Sequence, residues 1–223
     1  ASDGMETWLS NRHRLDDVYL GRDHNAAIDG ALKAAPGITR HGGNPAEAAV
    51  QHIAGGKAGA IYSQRMEFGP RALGARTILG SPADHAINDT LNQRLERSEF
   101  MPFAPVVKEE RAGEVFEVSD LNAYACRFMT ITCAVNPAWQ DRIPAVVHVD
   151  GTARPQVIRR DDNPLYHDIL DGFERETGLP VLINTSFNVH EEPIVDTPDH
   201  CLRALADDRI DFVVTEEALY TRD

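Results

Sequence analysis

The chain has 223 residues, of which 42% are hydrophobic and 26% charged, and its formal net charge is −13. This length and composition are typical of a soluble globular protein that buries a sizeable core. A strongly acidic chain is a poor nucleic-acid binder, because contact with a phosphate backbone needs a basic face. The apolar runs are too short to span a bilayer. Three scattered cysteines without Cys-x-x-Cys spacing predict reduced thiols and a cytoplasmic protein.

Capping signals and the helical spacing of apolar residues predict six helices. Residues 1–22 show little periodicity and predict a lead-in arm. Asn44 before Pro45 is typical of a helix start, and Gly178 suits the position just after a helix. The predicted helices are Asn25–Ala35, Pro45–Ala54, Ala83–Leu95, Lys108–Val115, Pro164–Glu176 and Pro198–Asp207.

Short apolar or alternating runs predict the strands. Residues Arg40–Gly43 predict a loop, and residues 98–101 an irregular turn. Asp150-Gly151 favours a hairpin between the two runs that flank it. The predicted strands are Ala58–Tyr62, Thr77–Leu79, Phe103–Val107, Arg127–Val135, Ala145–Val149, Arg154–Arg159, Leu179–Ile183, Phe212–Val214 and Ala218–Thr221.

Helices and strands are mixed along the chain, with no internal repeat and no low-complexity linker. This order predicts one α/β domain with a mixed sheet and an N-terminal helical extension. We place the boundary after residue 56, so that residues 1–56 form the arm and first helices and residues 57–223 the main domain.

The segment Arg65–Arg76 holds three arginines between two predicted strands. Gly69, Pro70 and Gly74 exclude regular structure and favour tight turns. A rigid loop with several guanidinium groups suits phosphate or carboxylate oxygens. The alternative is a surface loop whose arginines pair with Glu67 and neighbouring acids.

A second polar segment, Asn184–Asn188, directly follows a predicted buried strand. Loops at strand ends are where α/β proteins place ligand contacts. Ser186 and Asn188 offer a hydroxyl and an amide on short side chains, which suits phosphate oxygens or a carbamoyl group. The alternative is a polar turn that caps its own backbone.

Four sequence blocks in this order resemble the C-terminal half of the NodU/CmcH family of O-carbamoyltransferases. They are Arg65–Gly74, Arg97 with Pro102–Val106, Leu182–Asn188 and Glu192–Val195. The resemblance extends from about Val18 to the last residue. It implies that residues 57–223 have a YrdC-like fold. It also implies that this domain makes carbamoyl-adenylate from carbamoyl phosphate and ATP.

The resemblance also implies roles for individual residues. Arg65, Arg71 and Arg97 would be catalytic and would neutralise phosphate charge during transfer. Ser186 and Asn188 would orient the carbamoyl group and an α-phosphate oxygen. The remaining predicted substrate- or nucleotide-binding residues are Glu67, Arg76, Asn184 and Thr185.

Several positions depart from the family pattern. Leu95 stands where YrdC-like domains usually have lysine, Met101 where NodU-type sequences often have arginine, and His190-Glu191 where Lys-Gly is usual. These changes remove positive charge from an anion site. They leave open a non-catalytic subunit or regulatory module with an eroded nucleotide site. An RNA-modifying YrdC-like protein is disfavoured by the acidic charge.

The sequence predicts no metal site, because the histidines lack the spacing of zinc or iron ligands. Magnesium is expected with ATP and would be held mainly by the phosphates. The resemblance implies a partner, an actin-like N-terminal half that carries a metal, expected to be iron, and transfers the carbamoyl group to a hydroxyl acceptor. No membrane partner is expected.

Overall fold

The computed structural model of the protein describes residues 2–11, 14–97 and 103–223. The irregular turn predicted at residues 98–101 and the positions of Met101 and Pro102 lie outside these ranges. None of the helices in the described part of the chain has the length and hydropathy needed to cross a bilayer.

The α-helices of the described residues are mostly short. They are α1 (Ser2–Ser10), α2 (Asn25–Ala34), α3 (Pro45–Ala54), α4 (Ala86–Arg94), α5 (Glu109–Val115), α6 (Ala123–Cys126), α7 (Pro137–Gln140), α8 (Pro164–Thr177) and α9 (Pro198–Ala206). A 3₁₀ helix covers Pro144–Val146.

The strands of the described residues form one large sheet and one small sheet. They are β1 (Ile38–His41), β2 (Gly59–Tyr62), β3 (Arg76–Gly80), β4 (Ala104–Lys108), β5 (Cys133–Ala134), β6 (Thr152–Ala153), β7 (Gln156–Ile158), β8 (Val181–Ser186), β9 (Phe212–Val214) and β10 (Leu219–Arg222). The large sheet has eight strands in the order β1-β10-β9-β2-β3-β8-β4-β7, and β5 pairs with β6.

The eight-stranded sheet is mixed, as predicted. The pairs β2–β9 and β4–β7 are parallel, whereas the other neighbours are antiparallel. Because β8 runs opposite to both β3 and β4, its last residues lie beside their first ones. Thr77 pairs with Ser186 and Ala104 with Asn184. One edge of the sheet therefore brings together segments that are far apart in sequence.

Most predicted helices are confirmed to within a few residues. Asn44 caps α3 by accepting from the Glu47 and Ala46 amides, and Gly178 ends α8 at φ 74°. The prediction of a lead-in arm at residues 1–22 needs correction, because Ser2–Ser10 is helical despite its weak periodicity. The division at residue 56 stays a prediction about domains. In the structure β1, α2 and α3 share the sheet and core of the larger segment.

Three other predictions were wrong. The predicted loop Arg40–Gly43 begins inside β1, which pairs with β10. Of the predicted strand Arg127–Val135, only β5 forms, because Met129 adopts φ 54° and the Thr130 amide bonds back to Ala125. That positive φ interrupts an extended chain.

The predicted hairpin is wrong in its pairing, although its turn forms. The His148 amide donates to the Thr152 carbonyl at 2.7 Å, and Gly151 has φ 78°. The residues before the turn form the 3₁₀ helix rather than a strand. After the turn, β6 pairs with β5 and β7 pairs with β4.

The N-cap of α8 provides a test of how the sheet edge is held. Asn163 is fully buried, accepts from the Tyr166 amide at 3.0 Å and donates to the Gly74 carbonyl at 3.1 Å. Asn163→Ala removes the cap and also leaves a buried carbonyl without its donor. We expect a loss of about 2–4 kcal/mol in unfolding free energy, measured from the urea midpoint.

The matched control is Asn44→Ala, which removes an exposed cap with no second role. It is expected to cost about 1 kcal/mol. Equal losses for the two variants would contradict the bracing role of Asn163.

Candidate active site

One buried carboxylate organises the arginine loop, residues 65–76. Glu67 is 3% exposed, and its Oε1 atom accepts from the amides of Leu73 at 2.8 Å, Ala75 at 2.7 Å and Arg76 at 3.0 Å. Hydrogen bonds to a charged acceptor are stronger than neutral ones. Glu67, predicted to bind substrate or nucleotide, thus holds the loop through this oxygen, whereas its buried Oε2 atom has no hydrogen-bond partner in the described structure.

The turn inside the loop depends on Gly74. Its φ is 115°, and a Cβ atom at this position would lie 2.6 Å from a ring carbon of Tyr166. Both the backbone conformation and the space therefore require glycine. The packing of the loop against α8 fixes where its tip, with Arg71, projects.

Arg65 turns away from the tip of the loop. Its Nε atom donates to the Gly21 carbonyl at 2.9 Å, and its Nη2 atom donates to the Leu20 carbonyl at 3.1 Å. The guanidinium group thus fastens the segment after α1 to the loop. The structure does not bring Arg65 together with the other predicted catalytic residues.

Arg76 is also directed inward. It is fully buried, its Nη1 atom donates to the Ser63 and Ala75 carbonyls, and its guanidinium lies 3.6 Å from the centroid of the Tyr62 ring. Burial raises the pKa of the Tyr62 hydroxyl to about 12, against the opposing effect of the Arg76 charge. The side chain of Arg76 supports the start of β3 and does not line the cleft described next.

A cleft of about 200 Å³ lies at the sheet edge, where β8 ends and β4 begins. It is lined by residues of the arginine loop, of β8 and the segment after it, and of the segments before β4 and β7. Arginines reach it from three separate segments. The lining residues are Pro70, Arg71, Ala72, Arg97, Phe103, Ala104, Met129, Arg154, Asn184, Thr185, Ser186, Asn188, His190 and Glu191.

Arg71, Arg97 and Arg154 make this cleft electropositive. None of the three forms a salt bridge with any residue that the structure describes. Burial lowers the pKa of the Arg97 guanidinium, and burial together with the charge of Arg71 lowers the pKa of Arg154. Cations that burial or a neighbouring cation destabilises in this way are stabilised when an anion enters between them.

Arg97 is held in position by two neighbours. Its Nη2 atom donates to Thr185 Oγ1 at 3.1 Å, and its guanidinium lies 5.3 Å from the centroid of the buried Phe103 ring. The predicted residue Thr185 therefore orients a cation of the cleft. Its own hydroxyl oxygen accepts that hydrogen bond.

Asn184 lies at the buried end of the cleft and presents a free acceptor. It is 1% exposed, and its Nδ2 atom donates to Gln156 Oε1 at 2.7 Å and to the Ala72 carbonyl at 3.1 Å. These bonds fix the amide, while its buried Oδ1 atom has no partner in the described structure. A ligand N–H group could satisfy this oxygen.

Ser186 and Asn188 form a coupled pair. The Ser186 hydroxyl donates to Asn188 Oδ1 at 2.5 Å, and Asn188 Nδ2 donates to the carbonyls of Glu192 and Val189. The amide of Asn188 is thus oriented by the segment that follows β8. Both side chains line the cleft, next to Asn184 and Thr185.

Two positions differ from what the motifs indicate. Arg154 lines the cleft but precedes β7, where the sequence predicted only a hairpin strand. Its Pro155 neighbour and its basic side chain carry no spacing signal that could have revealed this. Leu95 is buried and lines a different cavity, so it does not occupy a cation position of the cleft.

Among the residues that the structure describes, no three His, Cys, Asp or Glu side chains are grouped so as to hold a metal ion. The donors that do converge are arginine, amide and hydroxyl groups. This set suits an oxyanion with an adjacent N–H group.

The mixed sheet and the cleft lined by three arginines define an α/β domain with an electropositive cleft. A comparison with models of protein families classifies this domain more specifically. The chain belongs to the family described as Carbamoyltransferase C-terminus, whose model matches residues 50–222.

Curated relatives agree with this family. The chain is 37% identical over 208 residues to the nodulation protein NolO of Bradyrhizobium diazoefficiens, which covers 91% of the chain and 38% of NolO. It is 40% identical over 192 residues to NolNO of Sinorhizobium fredii, covering 83% and 28%. An uncharacterized protein of Methanocaldococcus jannaschii is 41% identical over 177 residues, covering 79% and 28%. The chain therefore spans only about a third of these relatives.

Solved structures share the fold. Full-length HypF in its phosphate- and nucleotide-bound form aligns with a TM-score of 0.55 at 18% identity, over 86% of the chain and 23% of HypF. HypF of T. kodakarensis gives the same TM-score and identity over 78% and 21%. The predicted fold class, a mixed α/β domain of the YrdC-like type, is confirmed.

The role of Glu67 as organiser of the loop can be tested directly. Glu67→Gln keeps an acceptor oxygen but removes the charge, so the three amide bonds weaken. We expect a loss of about 1–3 kcal/mol in stability. Hydrogen exchange should accelerate at the amides of Leu73, Ala75 and Arg76 more than in β2.

Glu47→Gln, on the exposed side of α3, is the control and should leave these amides unchanged. Unchanged exchange in Glu67→Gln would show that the loop is held by other contacts.

Proposed function

We propose that this chain binds carbamoyl phosphate and ATP and forms carbamoyl-adenylate, the activated donor for carbamoyl transfer to a hydroxyl acceptor. The observation that carries the proposal is the convergence of Arg71, Arg97 and Arg154, without salt-bridge partners among the described residues, on one cleft. Family membership supports carbamoyl chemistry. The phosphate- and nucleotide-bound state named for HypF supports these ligands in this fold.

The reaction would proceed in two steps. Water cleaves carbamoyl phosphate to carbamate and inorganic phosphate. A carbamate oxygen then attacks the α-phosphorus of ATP, the bond from that phosphorus to the bridging oxygen breaks, and pyrophosphate leaves. No nucleophilic side chain is required, so the protein contributes binding, orientation and charge.

The arginines would stabilise the negative charge that moves between phosphate oxygens. Arg97 is pre-oriented by Thr185, so its forked donors need little reorganisation when an anion binds. Arg71 is exposed at the loop tip, and Arg154, in the segment before β7, is partly buried. Guanidinium groups from different segments can contact different oxygens of one ligand.

The carbamoyl amino group would be recognised by Asn184. Its Oδ1 atom is buried, lacks a partner in the described structure and belongs to a side chain whose amide nitrogen is already fixed. An N–H group of carbamate or carbamoyl phosphate would satisfy this acceptor, whereas acetyl phosphate carries no such donor. This difference favours carbamoyl over acetyl substrates.

Magnesium would accompany ATP. Among the described residues that line the cleft, cations and neutral polar groups predominate, and the exposed Glu191 is the one carboxylate. The phosphate oxygens would therefore provide most ligands of the ion. Transfer to the acceptor, and any iron, would belong to an actin-like half, fused or separate. The relatives, about three times as long as the chain, are consistent with such a half.

The second candidate is a non-catalytic module that completes a partner enzyme. It is favoured by the placement of Arg65 and Arg76, because both predicted cations bind protein groups instead of facing the cleft. Arg154 replaces part of that charge. The two candidates differ in whether the chain turns over ATP.

Arg154 tests catalysis. With carbamoyl phosphate, ATP and magnesium, the chain should exchange labelled pyrophosphate into ATP. Arg154→Gln should lower this rate by about 10²–10³, as expected for the loss of one electrostatic donor. Arg175→Gln, an exposed arginine on α8, should leave it unchanged.

If the native chain shows no carbamoyl-phosphate-dependent exchange, either alone or with a partner half, the result would support the non-catalytic module. An unchanged exchange rate in Arg154→Gln would show that Arg154 does not take part in the reaction.

Arg71 tests recognition by geometry. Arg71→Lys keeps the charge but loses the bidentate fork, so carbamoyl phosphate should bind about tenfold more weakly. Calorimetry at two ionic strengths measures this. Native affinity should fall as salt rises, because the attraction is electrostatic. Identical affinities for native and Arg71→Lys would make the loop tip a structural feature only.

A further inference from the structure

Gln156 is a buried polar residue, 2% exposed, at the first position of β7. It is hydrogen-bonded to Asn184, which lines the arginine-lined cleft. A buried amide side chain has to place a donor nitrogen and an acceptor oxygen, so its partners decide which way round it lies. The surroundings of Gln156 therefore determine which of its atoms faces Asn184.

The carbonyl of Leu73, in the arginine loop, fixes the orientation of Gln156. Gln156 Nε2 donates to this carbonyl at 2.7 Å. A backbone carbonyl can only accept, so the nitrogen of Gln156 has to face it and Oε1 is left for Asn184. The Tyr19 hydroxyl donates to the same carbonyl at 2.9 Å. Burial, together with the charge of Glu67, raises the pKa of that hydroxyl, which therefore stays protonated.

The orientation of Gln156 determines the orientation of Asn184. Gln156 Oε1 accepts from Asn184 Nδ2 at 2.7 Å, and the Ala72 carbonyl accepts from the same nitrogen at 3.1 Å. If the Asn184 amide turned over, its oxygen would face two acceptors with no hydrogen between them. Asn184 is therefore held with Oδ1, which is buried and has no partner in the described structure, as the atom left for a ligand.

The polarity of this part of the cleft thus originates in two consecutive backbone carbonyls of the arginine loop, those of Ala72 and Leu73. Neither carbonyl can become a donor, so the acceptor character of Asn184 Oδ1 is built into the fold. A ligand without a hydrogen to donate leaves this buried oxygen unpaired, which weakens its binding. A site that hydrogen-bonds one ligand group discriminates against an analogue that lacks the group.

We propose that Gln156 is a positioning residue that determines specificity. It holds Asn184 so that the cleft selects a ligand with an N–H donor, of the carbamoyl class, over an acyl ligand of the same shape without one. This inference rests on the proposed function, because it concerns how the carbamoyl group assigned to Asn184 is distinguished. Gln156 acts through Asn184.

A ratio of two affinities tests the positioning role. Carbamoyl phosphate and acetyl phosphate differ by an amino group in place of a methyl group, so the ratio of their dissociation constants, measured by calorimetry, isolates the N–H contact. The native chain should prefer carbamoyl phosphate by about tenfold or more. Gln156→Met has a similar length but no amide oxygen. It should lower this preference about threefold or more and change acetyl phosphate binding less than about twofold.

Three further variants control the measurement. Gln156→Glu keeps an oxygen for Asn184 whether its carboxyl group is charged or protonated, so the preference should stay within about twofold of the native value even if both ligands bind more weakly. In the Asn184→Ala background, Gln156→Met should not change the preference further, because the two residues act in one chain of hydrogen bonds. Gln51→Met, at an exposed position of α3, should leave both affinities unchanged.

Hydrogen exchange in the native chain gives a measurement that needs no Gln156 variant. Both hydrogens of Asn184 Nδ2 have protein acceptors, whereas Asn44 is exposed. In a chain labelled with ¹⁵N-asparagine, the Asn184 side-chain amide is identified by NMR from its loss in Asn184→Ala. It should exchange with water about tenfold or more slowly than the Asn44 side-chain amide.

The outcomes also separate this inference from the proposed function. An unchanged preference in folded Gln156→Met overturns the positioning role, while carbamoyl-adenylate formation stands. Equal native affinity for carbamoyl and acetyl phosphate likewise overturns it. If Gln156→Met does not fold, exchange at Asn184 as fast as at Asn44, or a preference lost in Gln156→Glu, overturns the inference. A native chain that binds neither carbamoyl phosphate nor ATP overturns the proposed function and this inference together.

Discussion

The candidate site depends on one carboxylate oxygen. Oε1 of Glu67 gathers three backbone amides of a loop that would otherwise leave them without partners in the protein interior. A neutral side chain could accept the same bonds, but a charged acceptor makes each of the three stronger and so holds the irregular backbone more firmly. The loop tip, the turn at Gly74 and the start of β3 all take their positions from this contact.

The distribution of arginines follows from the same arrangement. Arg65 and Arg76 satisfy backbone carbonyls near the base of the loop, so the fold uses them as internal donors. Arg71 is left at the tip. Two other arginines, delivered by distant segments, complete an electropositive cleft that the loop alone could not form. An acidic protein thus keeps a small local excess of positive charge at this cleft.

Much of the fold could be predicted from local sequence, and the cleft only in part. Asn44 and Asn163 before prolines marked two helix starts correctly, because capping is a local interaction. Met129 interrupts the predicted strand Arg127–Val135 near its start, through a left-handed backbone conformation that no propensity indicates. Arg154 reaches the cleft through the parallel pairing of β7 with β4, which depends on distant contacts. Arg65, Arg71 and Arg76 belong to one loop but point to different surroundings, because contacts with distant segments decide where each side chain lies.

The strand order has a consequence for how the chain folds. β9 lies between β10 and β2. Among the described strands, β1 pairs with β10 alone, and the paired residues, such as Ile38 and Arg222, are far apart in sequence. β1 therefore lacks its strand partner, and β2 has only β3 as a neighbour, until β9 and β10 have been synthesised. Such high contact order predicts slow folding, with exposed strand edges on the nascent chain that chaperones would need to shield.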